Sequence, residues 1–221
     1  MANVLITGST GMIGKGVLLE CIDDASIETI VLLNRNPIDV QSEKIKEVLL
    51  KDFTKIESIK DQLGTVDACF HCMGVSALGL NEVQYSQLTF DVTKALIDVC
   101  YEINPGMTFN YVSGQGSDSS EKGKQMWARV KGKTENYLLT KGFAKAYAFR
   151  PGFIIPERGI RSRTKFYDNI YRVFRPFFPL FKKMKSVTTT GRIAQVMIKT
   201  IHMKQTEQYL ENPQINELAR E

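Results

Sequence analysis

The stretch NVLITGSTGMIG, residues 3–14, determines how the rest of the chain is interpreted. It begins with a short apolar run, residues 3–7, of the kind that forms a buried strand. Three glycines at every third position follow this run, and after them apolar residues recur at helical spacing: Met12, Ile13, Val17, Leu18 and Cys21. The stretch therefore predicts a strand, a tight turn and a helix in direct succession.

The glycines of this turn point to a phosphate-binding function. Glycine permits a sharp turn, lets the backbone approach a pyrophosphate and lets a helix pack closely on a strand. The amides and the dipole at the helix N-terminus can then hold the phosphate charge. We predict that the cofactor-binding residues here are Gly8, Ser9, Thr10, Gly11, Met12, Ile13 and Gly14. A tight turn without a ligand is the alternative, and the strand–turn–helix context disfavours it.

Apolar runs and helical patterns alternate along the chain as far as Arg150. Further strand-like runs cover residues 28–34, 46–53, 65–74, 107–114 and 144–150, and helical patterns cover 82–103 and 122–141. Continuous apolar strands separated by helices indicate a parallel sheet that is covered on both faces. The predicted fold class is α/β, with a Rossmann-like, doubly wound, mostly parallel sheet in a single domain over residues 1–221.

The pattern changes after the stretch RPGF, residues 150–153. Aromatic and aliphatic residues recur at helical spacing over 164–181, where two prolines interrupt the helix, and further helical patterns cover 188–203 and 213–220. The stretch from Glu157 to Arg192 contains ten basic residues and only two acidic ones. We predict that residues 156–190 form a small C-terminal cap on the substrate side of the sheet, which would favour a polar or anionic ligand.

Composition limits the possible partners and locations. The chain has 221 residues, of which 43% are hydrophobic and 24% charged, with a net charge of +5 that is concentrated in the cap region. This regional charge does not indicate a nucleic-acid-binding protein, and the prolines favour pocket packing over contact with a membrane surface. We see neither a signal peptide nor a transit peptide, so the expected location is the cytoplasm. The oligomeric state is left open.

Four cysteines raise the question of a metal. Cys69 and Cys72 form a CxxC pair with His71 between them. The surrounding run, however, has the pattern of a buried strand, in which residues three apart point to opposite faces. Two thiolates on opposite faces cannot share one ion, so we predict no metal site.

The end of the second strand-like run bears on the choice of cofactor. In dinucleotide-binding folds an acidic residue at this place binds the ribose hydroxyls of NAD, whereas an arginine accommodates the extra phosphate of NADP. Here the run ends in Asn34 and Arg35, without a carboxylate. We predict that both residues bind the cofactor and that it is NADP, with NAD as the alternative.

The motifs TGSTGMIG, residues 7–14, and RPGF, residues 150–153, resemble those of the short-chain dehydrogenase/reductase superfamily, in its extended and atypical branches. The resemblance runs from Asn3 to about Ile155. It implies that Ser113 is the catalytic serine at the end of the fifth strand. It also implies cofactor contacts from two residues beside the adenine, from the segment after the fourth strand and from the RPGF turn beside the nicotinamide: Asp52, Phe53, Cys72, Met73, Gly74, Pro151, Gly152 and Phe153.

The stretch MWARVK, residues 126–131, departs from the family pattern. The family carries a tyrosine and a lysine four residues apart, where the lysine holds the nicotinamide ribose and lowers the pKa of the tyrosine. Lys131 matches the lysine, but Trp127 occupies the tyrosine position. We therefore expect Ser113 and Lys131 to be the catalytic residues and Trp127 to be a wall of the pocket. Tyr167 or Tyr171 of the cap is an alternative proton donor.

The resemblance implies an NADP(H)-binding protein that acts as an oxidoreductase or epimerase-type enzyme on a small carbonyl or hydroxyl substrate. The missing tyrosine leaves an alternative open, which is a catalytically inactive NADP-binding protein that regulates a partner or senses the cofactor. Hydride transfer needs only a bound nicotinamide and a positioned acceptor, so the loss of one acid slows the reaction without forbidding it.

Overall fold

The computed structural model describes residues 1–160, 178–182 and 184–220. Its strands are β1 (Ala2–Thr7), β2 (Ile27–Asn34), β3 (Ile45–Leu49), β4 (Ala68–His71), β5 (Thr108–Val112), β6 (Lys145–Arg150), β7 (Phe153–Ile155), β8 (Val187–Thr189) and β9 (Tyr209–Glu211). Seven of them form one sheet in the order β3-β2-β1-β4-β5-β6-β9, and β7 pairs with β8 separately. All these pairings are parallel. The strand order reverses between β1 and β4, which is where ligands bind in open parallel sheets.

Helices cover both faces of the sheet. They are α1 (Met12–Asp23), α2 (Lys60–Leu63), α3 (Glu82–Ser86), α4 (Val92–Ile103), α5 (Met126–Leu139), α6 (Phe178–Phe181), α7 (Thr190–Thr200) and α8 (Asn212–Leu218). A π-helical segment, Gln87–Asp91, joins α3 to α4. One apolar core packs α1, α7 and α8 against the sheet, and a second packs α4 and α5 against its other face. This confirms the predicted Rossmann-like, doubly wound α/β class.

The boundaries differ from the sequence prediction at several ends. The predicted strand 46–53 ends at Leu49, and residues Phe53–Ile59 form a 3-10 helix instead. The change follows from Asp52, whose carboxylate accepts a hydrogen bond from the Thr54 amide at 3.0 Å and so caps the turn. Strands β7, β8 and β9 were not predicted, because runs of three residues show no recognisable period.

The predicted cap is described in part. Residues 161–177 and 183, and with them the candidate donors Tyr167 and Tyr171, lie outside the described residues. The described end of the segment returns to the body of the fold, because residues 187–189 form β8 and Thr190 opens α7. The single domain with a cap over 156–190 stays a prediction. Within the described ranges, no helix is long and apolar enough to cross a membrane.

Candidate functional site

The turn between β1 and α1 packs directly against the turn that follows β4. Gly8 has φ +72°, and a Cβ built on it would lie 2.7 Å from backbone atoms of both Cys72 and Met73. A Cβ on Gly14 would lie 2.1 Å from the carbonyl oxygen of Gly8. Real Cβ atoms do not approach backbone atoms this closely, so both positions require glycine. These contacts hold α1 with its N-terminus pointing at the strand-order reversal.

The N-terminus of α1 presents free amides. Gly11 caps the helix without a side-chain hydrogen bond, and its own amide donates to the Gly8 carbonyl oxygen at 2.9 Å. The first helical bond runs from Lys15 N to Gly11 O. The amides of Met12, Ile13 and Gly14 therefore have no acceptor in the described part of the chain. Since the first turn also lacks an acidic residue, these amides fit a pyrophosphate.

A cleft opens beside this helix end. Residues from the β1 turn, the end of β2, the 3-10 helix and the turn after β4 line it: Gly8, Thr10, Gly11, Leu33, Asn34, Arg35, Phe53, Cys72, Met73 and Gly74. Most of them are residues predicted from the sequence to bind the cofactor. Leu33 was not predicted, because its apolar side chain in a buried strand carries no chemical signal. The fold thus brings four separate segments of the chain to one cleft.

Three of the predicted cofactor-binding residues, Ser9, Asn34 and Asp52, form hydrogen bonds within the chain. The Ser9 hydroxyl donates to Oδ1 of buried Asn34 at 2.8 Å, and Nδ2 of Asn34 donates to a carboxylate oxygen of Glu47 at 3.2 Å. The Asn34 amide group is thus already bonded on both sides. The Asp52 carboxylate binds the amide and hydroxyl of Thr54, and these hydrogen bonds lower its pKa. Asp52 lies outside the lining of the cleft, whereas its neighbour Phe53 reaches it.

A second, smaller recess lies at the end of β2. Its lining residues are Thr10, Asn34, Arg35, Asn36 and Pro37. Arg35 is exposed, and no residue among 1–160, 178–182 and 184–220 forms an ion pair or hydrogen bond with its guanidinium. An unpaired guanidinium beside free backbone amides is suited to a phosphate group.

Ser113 and Lys131 meet at the carboxyl end of β5. Nζ of Lys131 donates to the carbonyl oxygen of Ser113 at 2.7 Å. The hydroxyls of Ser113 and Ser117 lie 2.8 Å apart, and the Ser117 hydroxyl donates to the Gly114 carbonyl oxygen at 2.8 Å. Since Ser117 uses its proton on Gly114, Ser113 is the donor between the two hydroxyls. The structure therefore brings together the two residues predicted to be catalytic, and adds Ser117, which the sequence prediction missed.

The surroundings of Lys131 shift its pKa towards neutral pH. Burial lowers its pKa from the usual 10.5 to about 8, although the negative charge of Glu135 acts in the opposite direction. A group with this pKa exchanges protons close to neutral pH, which suits both an ammonium donor to a ribose and a proton-transfer group.

Trp127 lies one helical turn before Lys131 on α5. It is partly buried, and its ring packs on Gly116 in the loop after β5, where a built Cβ would lie 3.5 Å from Cη2. The loop that carries Ser113 and Ser117 is thus in contact with the indole. An indole N–H can donate a hydrogen bond but cannot act as a proton-transfer acid near neutral pH.

The turn that carries Pro151 and Gly152 packs against the same loop. The Gln115 amide donates to the Pro151 carbonyl oxygen at 3.1 Å, and the Gly152 amide donates to Asn212 Oδ1 at 3.2 Å. Phe153 begins β7 and is 40% exposed. Pro151 and Gly152 therefore adjoin the Ser113 loop, and neither they nor Phe153 line the cleft at the glycine turn.

His71 is a buried residue beneath the site that the sequence analysis considered only as part of the CxxC pair. Its Nδ1 lies 2.6 Å from the Thr7 hydroxyl, and its Nε2 lies 3.0 Å from the Thr93 hydroxyl. Burial, together with the positive charge of Lys131, lowers its pKa to about 3. The ring is neutral at physiological pH and joins β1 and β4 to α4. The sequence signal that could have revealed His71 is a polar residue near the end of a buried apolar run; its position opposite Thr7 appears only in the sheet.

The two cysteines of the CxxC pair lie on opposite sides of the sheet. Cys69 packs in the core below α4 and α5, whereas Cys72 packs against the core below α1. Burial raises the pKa of the Cys72 thiol to about 12, and burial also holds the pKa of the Cys69 thiol well above its usual range. Over the described ranges there is no cluster of three or more His, Cys, Asp or Glu side chains that could hold a metal ion.

Comparisons with known proteins agree with this geometry. A model of the NAD dependent epimerase/dehydratase family matches residues 4–146. The chain is 27% identical over 172 residues to the mitochondrial protein fmp52 of Emericella nidulans, covering 72% of this chain and 69% of that one. A short chain dehydrogenase/reductase structure from Saccharomyces cerevisiae has a TM-score of 0.70 at 17% identity and covers 99% of both chains. The Bordetella bronchiseptica enzyme WbmH in complex with NAD+ has a TM-score of 0.65 at 14% identity, covering 91% of this chain and 72% of that one.

The expected cytoplasmic location is wrong by this comparison. The fmp52 relative is named mitochondrial, and so are relatives in Debaryomyces hansenii, Meyerozyma guilliermondii and Aspergillus niger at 25%, 25% and 27% identity. They cover 71%, 70% and 72% of this chain and 68%, 66% and 69% of their own. The failure to recognise a targeting sequence was not sufficient grounds for assigning a compartment.

Proposed function

The chain belongs to the NAD dependent epimerase/dehydratase family, and on that premise we propose that it is an NADP(H)-dependent oxidoreductase or epimerase-type enzyme acting on a small carbonyl or hydroxyl substrate. The observation that carries the proposal is the cleft at the α1 N-terminus, where glycine turn, free amides and Arg35 converge. Ser113 and Lys131 lie at the end of β5, on the same edge of the parallel sheet.

The residues of the site fit a dinucleotide. The free amides of α1 would hold the pyrophosphate, Phe53 would border the adenine, and Lys131 would donate to the hydroxyls of the nicotinamide ribose. A bound nicotinamide supplies or accepts a hydride. Ser113 would orient the reacting oxygen of the substrate, and Lys131 is the group with a pKa suited to moving a proton there. Phe153 and the predicted cap would lie on the substrate side.

A cofactor-binding protein without turnover is the second candidate function, and Trp127 is the observation that favours it. The resemblance implies that an indole stands in place of the family's proton donor, and an indole N–H does not ionise near neutral pH. Calorimetry with NADP followed by NADPH oxidation with a panel of aldehydes and ketones separates the two candidates. Binding with turnover supports the enzyme, binding without turnover on any compound supports the regulator, and the absence of binding contradicts both.

Cofactor preference gives the first testable prediction. We expect NADP to bind about tenfold to a hundredfold more tightly than NAD, because a charge-assisted contact between Arg35 and the extra phosphate contributes roughly 1.5–3 kcal/mol. Arg35→Ala should remove this preference and leave NAD affinity nearly unchanged. The control is Lys133→Ala, which removes an exposed cation on α5 outside the cleft. Equal affinities in the wild type that Arg35→Ala does not alter would contradict the prediction.

The pH dependence of cofactor binding gives the second prediction. The pKa of Lys131 lies at about 8, so its ammonium is fully protonated well below that pH and is lost as the pH rises through it. We expect NADP affinity to fall by about tenfold across this range, because a charged donor is replaced by a neutral one. Calorimetry between pH 7 and pH 9 measures it.

The Lys131→Met variant is the matched test of this assignment. It should bind NADP more weakly at pH 7, with an affinity that no longer changes through pH 8. Lys133→Ala, two residues along the same helix, should keep the wild-type pH profile because its ammonium packs over the Phe90 ring at 4.1 Å. A profile that survives in Lys131→Met would assign the titration to another group.

A further inference from the structure

A buried carboxylate lies one helical turn beyond Lys131. Glu135 on α5 is 0% exposed. Its two oxygens accept hydrogen bonds from Nε of Arg150 at 3.0 and 3.2 Å, and Oε2 also accepts from Nη2 at 2.5 Å. Removing the Glu135 charge and most of the Arg150 side chain from water is costly, and such a pair is often no more stable than apolar residues of the same volume. The pair therefore calls for an explanation other than stability.

Arg150 connects this carboxylate to the loop of the site. Its Nη2 also donates to the Ser119 hydroxyl at 2.6 Å, and its guanidinium carbon lies 4.2 Å from the centre of the Tyr209 ring on β9. The loop that contains Ser119 also carries Ser113 and Ser117. One guanidinium thus fixes α5, the serine loop and the edge of the sheet relative to one another.

We propose that Glu135 and Arg150 are positioning residues that set the charge state of Lys131 through the balance of a buried carboxylate and a partly buried guanidinium. This inference rests on the proposed function, because it assigns Lys131 the role of a charged cofactor contact. Glu135 lies four residues after Lys131 on the same face of α5, where side chains are neighbours. Its negative charge favours the ammonium form, and Arg150 limits that effect by pairing with it.

Three titratable groups packed around Lys131 and Glu135 are neutral near physiological pH. Burial lowers the pKa of His71 on β4, and it raises the pKa values of Tyr111 on β5 and Tyr85 on α3. Arg150 has Tyr209 and Glu211 of β9 as further neighbours. Within the described structure, Glu135 is the charged group that acts on Lys131, and Arg150, which also neighbours Glu211, is the cation paired with Glu135. The charge of Lys131 should respond to either of them, with opposite sign.

The test measures the pKa of Lys131 directly, by carbon NMR of protein labelled at lysine Cε, without cofactor. The signal is assigned with Lys131→Met. Glu135→Gln should lower this pKa and Arg150→Met should raise it, each by on the order of one pH unit, and the double variant should return close to the wild type. A merely structural pair would move the pKa in the same direction in both single variants, because each would loosen the same packing.

Two further variants keep the test decisive. Glu82→Gln breaks the surface ion pair between Glu82 on α3 and Arg129 on α5, the helix that also carries Lys131. This variant should leave the Lys131 pKa unchanged. If Arg150→Met does not fold, Arg150→Lys replaces it, because lysine keeps the positive charge. The proposal is then supported if the Lys131 pKa is unchanged in Arg150→Lys and lowered in Glu135→Gln. Shifts of one sign in both single variants, or no shift in Glu135→Gln, overturn it. Because no cofactor is present, a failure of NADP binding is a separate result.

Discussion

Gly8→Ala is expected to lower the free energy of unfolding by about 2–5 kcal/mol and to abolish measurable NADP binding. A side chain at positive φ costs roughly 1–2 kcal/mol, and forcing a methyl group into a packed backbone contact costs about 1–3 kcal/mol more. Both terms apply here, because φ is +72° and the added Cβ would lie 2.7 Å from the backbone of Cys72 and Met73. Relief of this clash must separate the β1 turn from the β4 turn, which together line the cleft.

Gly79→Ala is the matched control. Gly79 has φ +79°, but no described atom lies within 4 Å of a Cβ built on it. The Gly79→Ala variant should therefore lose only the free energy of unfolding that a side chain at positive φ costs, about 1–2 kcal/mol, and it should keep the wild-type NADP affinity. Urea denaturation and calorimetry on both variants separate strain from clash. Equal losses of stability with cofactor binding retained in Gly8→Ala would show that the two turns are not rigidly packed.

The parts of the fold that sequence predicts well are those with local patterns. The strand–turn–helix unit at Gly8 to Gly14 combines an apolar run, glycine spacing and helical periodicity, each visible within a short window. The end of β3 was placed too late because the sequence from Lys46 to Phe53 is apolar enough for a strand, while the capping of Thr54 by Asp52 competes locally. Strand β9 escapes prediction because three residues carry no period.

Most residues that line the cleft could be named from the sequence, but the contacts between them could not. A pattern identifies Asn34 and Arg35 at the end of a strand, yet it cannot show that Asn34 is bonded to Ser9 and Glu47 whereas Arg35 lies without a partner in the described structure. The pairing of Glu135 with Arg150 joins residues on different elements, and burial turns an ordinary surface charge into an influence on Lys131. Such effects arise in the tertiary packing.

The two halves of the site differ in how closely they follow the family resemblance. The half proposed to bind the cofactor retains the glycine turn, the free amides of α1 and Lys131. The half that would act on substrate has Ser113 bonded to Ser117 and an indole at position 127. Cofactor binding and proton transfer should therefore be separable by experiment. We expect changes at Trp127 to affect proton transfer and to leave cofactor binding nearly intact.

Trp127→Tyr is expected to raise NADPH-dependent carbonyl reduction by up to about 10²-fold, at the low end of the roughly 10²–10⁴-fold effect of a positioned acid. The phenol would stand one helical turn before Lys131, whose ammonium favours the ionised phenol and brings its pKa towards neutrality. Tyrosine is smaller than tryptophan, so the packing on Gly116 is reduced without a clash. Initial rates of NADPH oxidation across an aldehyde and ketone panel measure the gain.

Trp127→Phe is the control for this prediction, because it makes a similar reduction in size without adding a hydroxyl. It should keep NADP affinity within about threefold, since a loss of ring contact at a partly exposed site costs well under 1 kcal/mol, and it should show no gain in rate. A gain in both variants would mean that extra space, and not the phenol, admits the substrate. Wild-type turnover that collapses in Trp127→Phe would contradict the assignment of Trp127 as a wall, because the indole N–H would then be orienting the substrate.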